Sequence, residues 1–432
     1  MIIELAVTNH LSIKDEQVFS LYAQKSLNLH SSNILFKETN YPTLATSGIF
    51  GANGSGKTNL LSAFNVLQTI IVESDTWKDG DDIPVYFPYL LSEETRNSPT
   101  SFDLEFWLES VRYKYSIKYN ANEIIHESLY FYPASQPAKI FERTDSTNWK
   151  DDNGISFGGY YKGGKKRFGY FANNSFLSKA GNEPDAPQII RKVYNYFRRR
   201  WGFVNSSERV NVLRWEESEL ALQAMKCLMN NVDLGISDFD FKERDLTEEQ
   251  ISILESAPAR IRNTLKKKFS NEVEFLHMSE NGKPVPFDYD LESLGTRRLF
   301  EALPMILLTL KHGSVLFCDE IESSFHTHVV ELIIKLFQDP YVNKNSAQLI
   351  FTSHNIGLMD SELFRKDQLW LSEKKLGKTE ITSLDQFDST LRDTSPFQKW
   401  YNEGRLGGIP AIDTYKIFNI VRNLVEKESS NA

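Results

Sequence analysis

Four short segments of this 432-residue chain hold residues able to work on phosphate. The first is Gly51-Ala52-Asn53-Gly54-Ser55-Gly56-Lys57-Thr58, which meets the pattern G-x-x-x-x-G-K-[ST] at every fixed position. Its glycines let the backbone fold closely around phosphates with several N–H groups turned inward. The helical pattern that starts here adds its positive dipole end. Asn53, Gly54, Ser55, Gly56, Lys57, Thr58 and Asn59 are therefore candidate ATP-binding residues. Lys57 is expected to reach the β- and γ-phosphates and serve catalysis, and the Thr58 hydroxyl to bind Mg²⁺.

The second segment, Ser314 to Glu320, is an apolar run ending in two acids. It predicts a buried strand whose end emerges at the edge where open α/β sheets hold ligands. Asp319 is a candidate Mg²⁺ ligand, and Glu320 a candidate general base for the attacking water. The third is Phe351-Thr352-Ser353-His354 after another short strand. A lone histidine is more often structural, but one beside the acids can sense a γ-phosphate as a donor. The fourth, Leu291 to Arg298, puts Ser293 and Gly295 at a helix start. Alone it reads as a cap, and it is also an anion site.

The elements that must position these residues alternate between strand and helix at both ends of the chain. Ile2–Val7, Val18–Ala23 and Thr46–Phe50 read as strands, and Asn59–Val72 as the helix after the glycine loop. Ser101–Leu108, Val111–Tyr119 and Ile124–Tyr132 alternate like antiparallel strands. From about 136 to 164 the chain turns polar and glycine-rich and is expected at the surface. Ala186–Trp201, Glu216–Asn230 and Thr247–Phe269 read as helices, with a strand within Asp233–Glu243. The βα alternation then resumes, which indicates a mainly parallel sheet covered by helices. The expected division is 1–164 and 286–385 as two halves of one α/β ATPase domain with a mixed sheet and an antiparallel β layer, 165–285 as an inserted helical subdomain, and 386–432 as a C-terminal helical segment.

Composition sets the outer limits. Hydrophobic residues make up 41% of the chain, so a sizeable core is expected. The net charge of -9 disfavours a general nucleic-acid coat. Two cysteines, Cys227 and Cys318, lack zinc spacing and fit a reducing compartment. The first residues have neither a basic nor a long apolar stretch, and Ala302–Leu310 is too short to span a bilayer. A cytoplasmic protein without membrane partners is expected.

Taken in order, Gly51–Thr58, Ser293–Arg297, Asp319-Glu320 and His354 resemble the ABC-type ATPase heads of the SMC/RecF/OLD-like branch of P-loop ATPases. Ser293-Leu294-Gly295-Thr296 looks like that branch's degenerate signature motif. The resemblance implies that Ser293 and Gly295 bind ATP held by another subunit, in a homodimer or higher homo-oligomer. Ser323-Ser324-Phe325-His326 looks like the dimer-contact loop, and Val7–Ile13 is similar to the opening strand of these heads. Asn174–Ser178 and Tyr401–Pro410 resemble segments of compact bacterial ATPases that serve anti-phage systems such as PARIS, Septu or retron-associated modules. The resemblance thus implies ATP and Mg²⁺ as cofactors and a separately encoded nuclease or toxin as effector. Gln68 lies inside the first helix, so no glutamine loop is identified. Nor do the residues after Asp385 carry the acid set of a Toprim nuclease.

Lys165-Lys166-Arg167, Arg198-Arg199-Arg200 and Lys266-Lys267-Lys268 all fall in the expected insertion. They make nucleic acid a possible partner, against the plainer reading of a solvated charged face. Phe168, Tyr170, Tyr194, Tyr196 and Trp201 read as core and not as base platforms. The alternative function is a DNA-clamping ATPase of repair or chromosome maintenance. A transporter ATPase is weaker, because Leu294 stands where its signature keeps glycine.

Overall fold

The computed structural model describes residues 1–25, 27, 30–204, 219–232, 235–243, 245–257, 262, 266, 271–323, 325–387, 391–392, 394–407 and 413–429. Expectations for Glu216 to Ser218, Asp233, Lys267, Lys268, Ser324 and Gly408 to Pro410 lie outside them. The chain opens with β1 (Ile2–Thr8) and β2 (Gln17–Ser20), then a small ribbon of β3 (Ile34–Leu35) and β4 (Thr43–Leu44). Next, β5 (Thr46–Phe50) runs through the glycine loop into α1 (Lys57–Glu73). A meander comes after it: β6 (Thr100–Leu108), β7 (Val111–Tyr119), β8 (Ile124–Tyr132), β9 (Ala138–Arg143) and β10 (Ile155–Phe157). With β1 and β2 it forms a seven-stranded sheet, order β10-β9-β8-β7-β6-β1-β2, in which every pairing is antiparallel.

Beyond the meander come α2 (Phe176–Gly181), α3 (Gln188–Arg200) and β11 (Trp201–Val204). A second region holds α4 (Glu219–Asn231), β12 (Ile236–Glu243), α5 (Glu248–Ser256), β13 (Asn271–Met278) and β14 (Pro284–Asp288), its strands forming a sheet of their own. The last part is α6 (Leu294–His312), β15 (Val315–Cys318), α7 (Thr327–Gln338), β16 (Gln348–Ser353), β17 (Leu369–Lys375), β18 (Lys378–Ser383), α8 (Phe397–Asn402) and α9 (Thr414–Ser429). The six-stranded sheet has the order β11-β15-β16-β5-β17-β18, parallel except for β18.

The parallel strands are buried on both faces, and their alternation sorts residues into two cores. Ile49, Phe317, Ile350 and Trp370 face one core; Phe50, Leu316, Leu349, Phe351 and Leu371 face the other. The first core is shared with the antiparallel sheet, and α1 lies within it. Leu60, Phe64, Leu67 and Ile71, at helical spacing, are all buried. Phe64 touches Phe19 of β2, Phe317 of β15 and Trp201 of β11. Removing such a ring from water contributes about 2–3 kcal/mol. The second core lies under α6 and α7, whose Leu299, Leu303, Ile306, Val330, Ile333 and Phe337 are buried. A single buried amide clasps the two sheets. Gln348 Oε1 accepts from Ile2 N (2.6 Å), and its Nε2 donates to Ile2 O and Leu44 O (2.9 Å each).

Two sequence expectations change. Residues 136–164 are not surface elaboration: β9 and β10 extend the antiparallel sheet, and Ile140, Phe141, Ile155 and Tyr161 are buried. The polar turn between the two strands masked their apolar alternation. A boundary at 164/165 also cuts through one aromatic cluster, because Phe141, Tyr161, Phe168 and Tyr170 all pack on Phe176. Further along, α3 stacks Tyr196 on Phe106 (4.9 Å), and β11 pairs with β15. The helical insertion expected over 165–285 therefore begins after β11, and it contains β12, β13 and β14 besides its helices. Among the described residues, no helix is long and apolar enough to cross a membrane.

Candidate active site

Strand order places the candidate residues. In the six-stranded sheet β16 lies between β15 and β5, so the strand ending near His354 separates the acid-bearing strand from the one feeding the glycine loop. All three run parallel and end at the same edge.

The glycine loop is held from behind by hydroxyls. Ser372 Oγ and Thr379 Oγ1 both donate to Ser55 O (3.1 and 2.8 Å). Thr379 Oγ1 also meets Ser12 Oγ at 2.7 Å, and Asn59 Nδ2 donates to Ser12 Oγ (2.5 Å). This close backing dictates glycine. Gly56 has φ +105, and a Cβ there would lie 2.0 Å from Thr379 Oγ1; at Gly51 it would lie 2.3 Å from Ser372 O. Asn59, expected to touch the nucleotide, turns its side-chain amide to Ser12. Asn53 and Gly54 stay exposed at the tip of the loop.

In front of the loop, Lys57 Nζ donates to Gly51 O (2.7 Å) and Ala52 O (3.1 Å). Burial draws its pKa down, and the charges of Glu322, Glu320 and Asp319, in that order, pull it back up. Thr58 Oγ1 donates to both carboxylate oxygens of Asp319 (3.1 and 3.0 Å). Asp319 Oδ1 also accepts from Thr352 Oγ1 (2.6 Å), which in turn accepts from Glu320 N (2.8 Å). One hydrogen-bonded chain thus joins the start of α1 to the ends of β15 and β16. Glu320 sits at φ +50, a left-handed conformation that is strained for a residue with a Cβ and recurs where function demands it. The neighbouring Cys318 thiol is pushed up to about 12, chiefly by burial and then by Asp319 and Glu322, so it stays protonated.

These residues fit a nucleoside triphosphate with a hard divalent cation. Ser55 Oγ is buried without a partner among the described residues, an orphan polar atom within the glycine loop. Thr58 and Asp319 offer adjoining oxygens of the type Mg²⁺ prefers. The charges of Glu322, Glu320 and Asp319 all act on the Lys57 ammonium, and a divalent ion would offset repulsion between these carboxylates and a polyphosphate.

Ser293 and Gly295 lie elsewhere. Ser293 caps α6, its Oγ accepting from Thr296 N (3.1 Å). With Thr296, Phe325, His326 and His328 the pair lines a cavity of about 570 Å³ that includes no residue of the glycine loop and neither Asp319 nor Glu320. Among the described residues, this cavity does not join Ser293 and Gly295 to the glycine loop.

Sequence reasoning missed Thr352 and Glu322. Thr352 lies within the segment Phe351 to His354, and Glu322 is a third acid two places after Glu320. Glu322 Oε1 accepts from His354 N (2.6 Å) and Asn355 N (3.1 Å) and lies 3.4 Å from His354 Nδ1. Gln68, inside α1, donates from Nε2 to Phe197 O (2.7 Å) and Trp201 O (3.3 Å). At the end of β11, Val204 O accepts from Asp319 N (3.1 Å).

Residues 47–360, which hold the loop, the acids and His354, match the family described as "AAA domain, putative AbiEii toxin, Type IV TA system". The chain belongs to this family. As an AAA domain it is a P-loop ATPase domain. Solved structures similar to this AAA domain include the SMC head domain from Thermotoga maritima, at 12% identity and TM-score 0.40, covering 88% of this chain and 98% of that one. An SMC head bound to the C-winged helix domain of ScpA is 12% identical at TM-score 0.44, covering 88% and 97%. CbiO1 from Clostridium perfringens, part of the ABC transporter complex CbiONQ, is 12% identical at TM-score 0.29, covering 89% and 90%. No curated protein matches this AAA domain.

Proposed function

We propose that this chain is a Mg²⁺-dependent ATPase that closes as a homodimer or higher homo-oligomer over ATP. It acts in the cytoplasm as the ATPase sensor or scaffold subunit of an anti-phage defence system and controls a separately encoded effector. The observation that carries the hydrolytic part is the continuous chain Thr58–Asp319–Thr352–Glu320 on one sheet edge.

In this reading the loop amides and Lys57 bind the phosphates, and Thr58 and Asp319 hold Mg²⁺. Bound Mg²⁺ would neutralise charge on the phosphate oxygens. Glu320 takes the proton of the attacking water as general base, its aim fixed by Thr352 through the Glu320 amide. His354 donates to the γ-phosphate from the neighbouring strand end. Ser293 and Gly295 close over ATP held by a second copy, a role supported by their cavity's separation from the loop of their own chain. The defence role draws support from the family description, which couples an AAA domain with a toxin–antitoxin system.

The test is a turnover assay with sizing of the Glu320→Gln variant in ATP and Mg²⁺. We expect bound ATP, a trapped dimer and no turnover; unchanged ATPase activity would sink the catalytic assignment. Purifying the native complex identifies the effector. DNA-stimulated turnover lost on reversing the charges of Arg198 to Arg200 would move the chain to the DNA-clamping class. Of the other basic residues, Arg167 is spent within the chain on Asp152.

A further inference from the structure

After β15 the chain reverses sharply. Glu320 takes its left-handed conformation, Ser323 N donates to Glu320 O (2.7 Å), and Ile321 N donates to Thr352 O (3.1 Å). This turn brings Glu322 back over the end of β16. Its side chain is 10% exposed, whereas that of His354 is 46% exposed. A nearly buried carboxylate thus carries a half-open histidine: it accepts the amides of His354 and Asn355 and faces His354 Nδ1.

The segment it holds is anchored once more on its far side. Asn355 Nδ2 donates to Thr327 Oγ1 (2.9 Å) at the first residue of α7, and Asn355 Oδ1 accepts from Gly357 N (2.9 Å). His326, His328 and Val329 of that same helix start line the cavity that holds Ser293 and Gly295. Glu322 therefore stands between the acid edge and the wall of the signature cavity. Its other oxygen, Oε2, is buried without a partner among the described residues. A buried carboxylate oxygen lacking a donor is costly. A structural peg for two amides could be supplied more cheaply by a neutral acceptor.

We propose that Glu322 is a positioning residue for hydrolysis: it holds the His354–Asn355 segment so that His354 addresses the nucleotide and α7 moves with it. This rests on the ATPase reading above. Glu322 contributes through His354, so the two residues form one unit, and a bare amide peg does not predict that coupling.

The experiment is a double-mutant cycle on the full chain, reading kcat and ATP affinity for Glu322→Ala, His354→Ala and the pair. We expect Glu322→Ala to lower kcat about 10- to 100-fold, the scale of a mispositioned catalytic group, with ATP affinity held within about threefold. Added to His354→Ala it costs less than about a further twofold. Losses that multiply, or a loss of affinity with kcat kept, overturn the proposal. If the alanine variant does not fold, Glu322→Asp, charged but one methylene shorter, carries the same cycle with the same criteria. Hydrogen exchange separates this proposal from the ATPase reading. In the wild type, ATP with Mg²⁺ should slow exchange over 51–58 and over 353–358; in the Glu322 variant only the first response should persist. A 353–358 response that persists in the variant overturns the proposal. A wild type without turnover removes the ATPase reading and this proposal with it, whereas a wild type that turns over ATP with no 353–358 response overturns this proposal alone.

Discussion

The two polar regions of this chain are built in opposite ways. At the acid edge, Thr58, Asp319, Thr352 and the Glu320 amide satisfy one another within a single chain. At the start of α6, Ser293 caps its own helix, Gly295 has no side chain to offer, and the adjoining Leu291 and Leu294 are 70% and 52% exposed. One region is preorganised for chemistry, which places charge without reorganisation at the moment of reaction. The other is a surface lacking its complement, and exposed apolar groups rimmed by polar ones mark contact sites. In the proposed reading, the difference teaches that the chain carries its own phosphate grip and leaves the enclosure to a second copy.

The comparison breaks most visibly at the acid edge. Glu320→Gln should lower kcat by about 10²- to 10⁴-fold while leaving ATP binding intact, read by phosphate release and by equilibrium binding. Next comes complementation between the regions. Ser293→Arg and Lys57→Ala should each be inactive alone. An equimolar mixture should regain about a quarter of wild-type turnover, because half the dimers are mixed and each has one intact composite site. A mixture as inactive as its parts would mean that both regions serve the same chain's nucleotide.

A smaller effect concerns the three carboxylates around Lys57. Chelating Mg²⁺ should weaken ATP binding about tenfold or more, and Asp319→Ala should bind metal-free ATP more tightly than the wild type does. Isothermal titration in EDTA decides it. The smallest effect lies behind the loop, where His10 is fully buried with neither ring nitrogen partnered among the described residues. Burial lowers its pKa to about 4, from an ordinary 6.5. Between those values the unfolded chain takes up a proton that the folded chain refuses, so stability falls as pH drops through that window. The loss should be about 1 kcal/mol by pH 5.5. His10→Phe, packed edge-on to Phe102 as the imidazole is, should remove that slope in denaturant titrations.

Much of this was legible because it is written locally. Gly51–Thr58 and the apolar run into Asp319-Glu320 announce a loop and a strand end from their own residues, and the structure brings Thr58 to Asp319. What stayed hidden depends on residues far apart in sequence. Thr379 backs Ser55 across a separation of 324 residues, and nothing around Thr379 signals a loop to support. Glu322 reads as one more surface acid until the left-handed turn at Glu320 folds it back over β16. The packing across 164/165 is hidden for the same reason: Phe176 gathers its aromatic partners from both sides of a glycine-rich stretch that reads as surface.

The order of strands also has a consequence for synthesis. The strand feeding the glycine loop, β5, pairs only with β16 and β17, which begin at Gln348 and Leu369. All five of its residues are buried in the finished protein. A growing chain thus carries β5 with both edges bare until β16 and β17 have been made. Pairings of such sequence separation close late and are exposed to aggregation meanwhile. In the proposed reading nucleotide binding therefore waits for β16 and β17, and a chain cut short before β16 should emerge with a complete glycine motif and no grip on ATP.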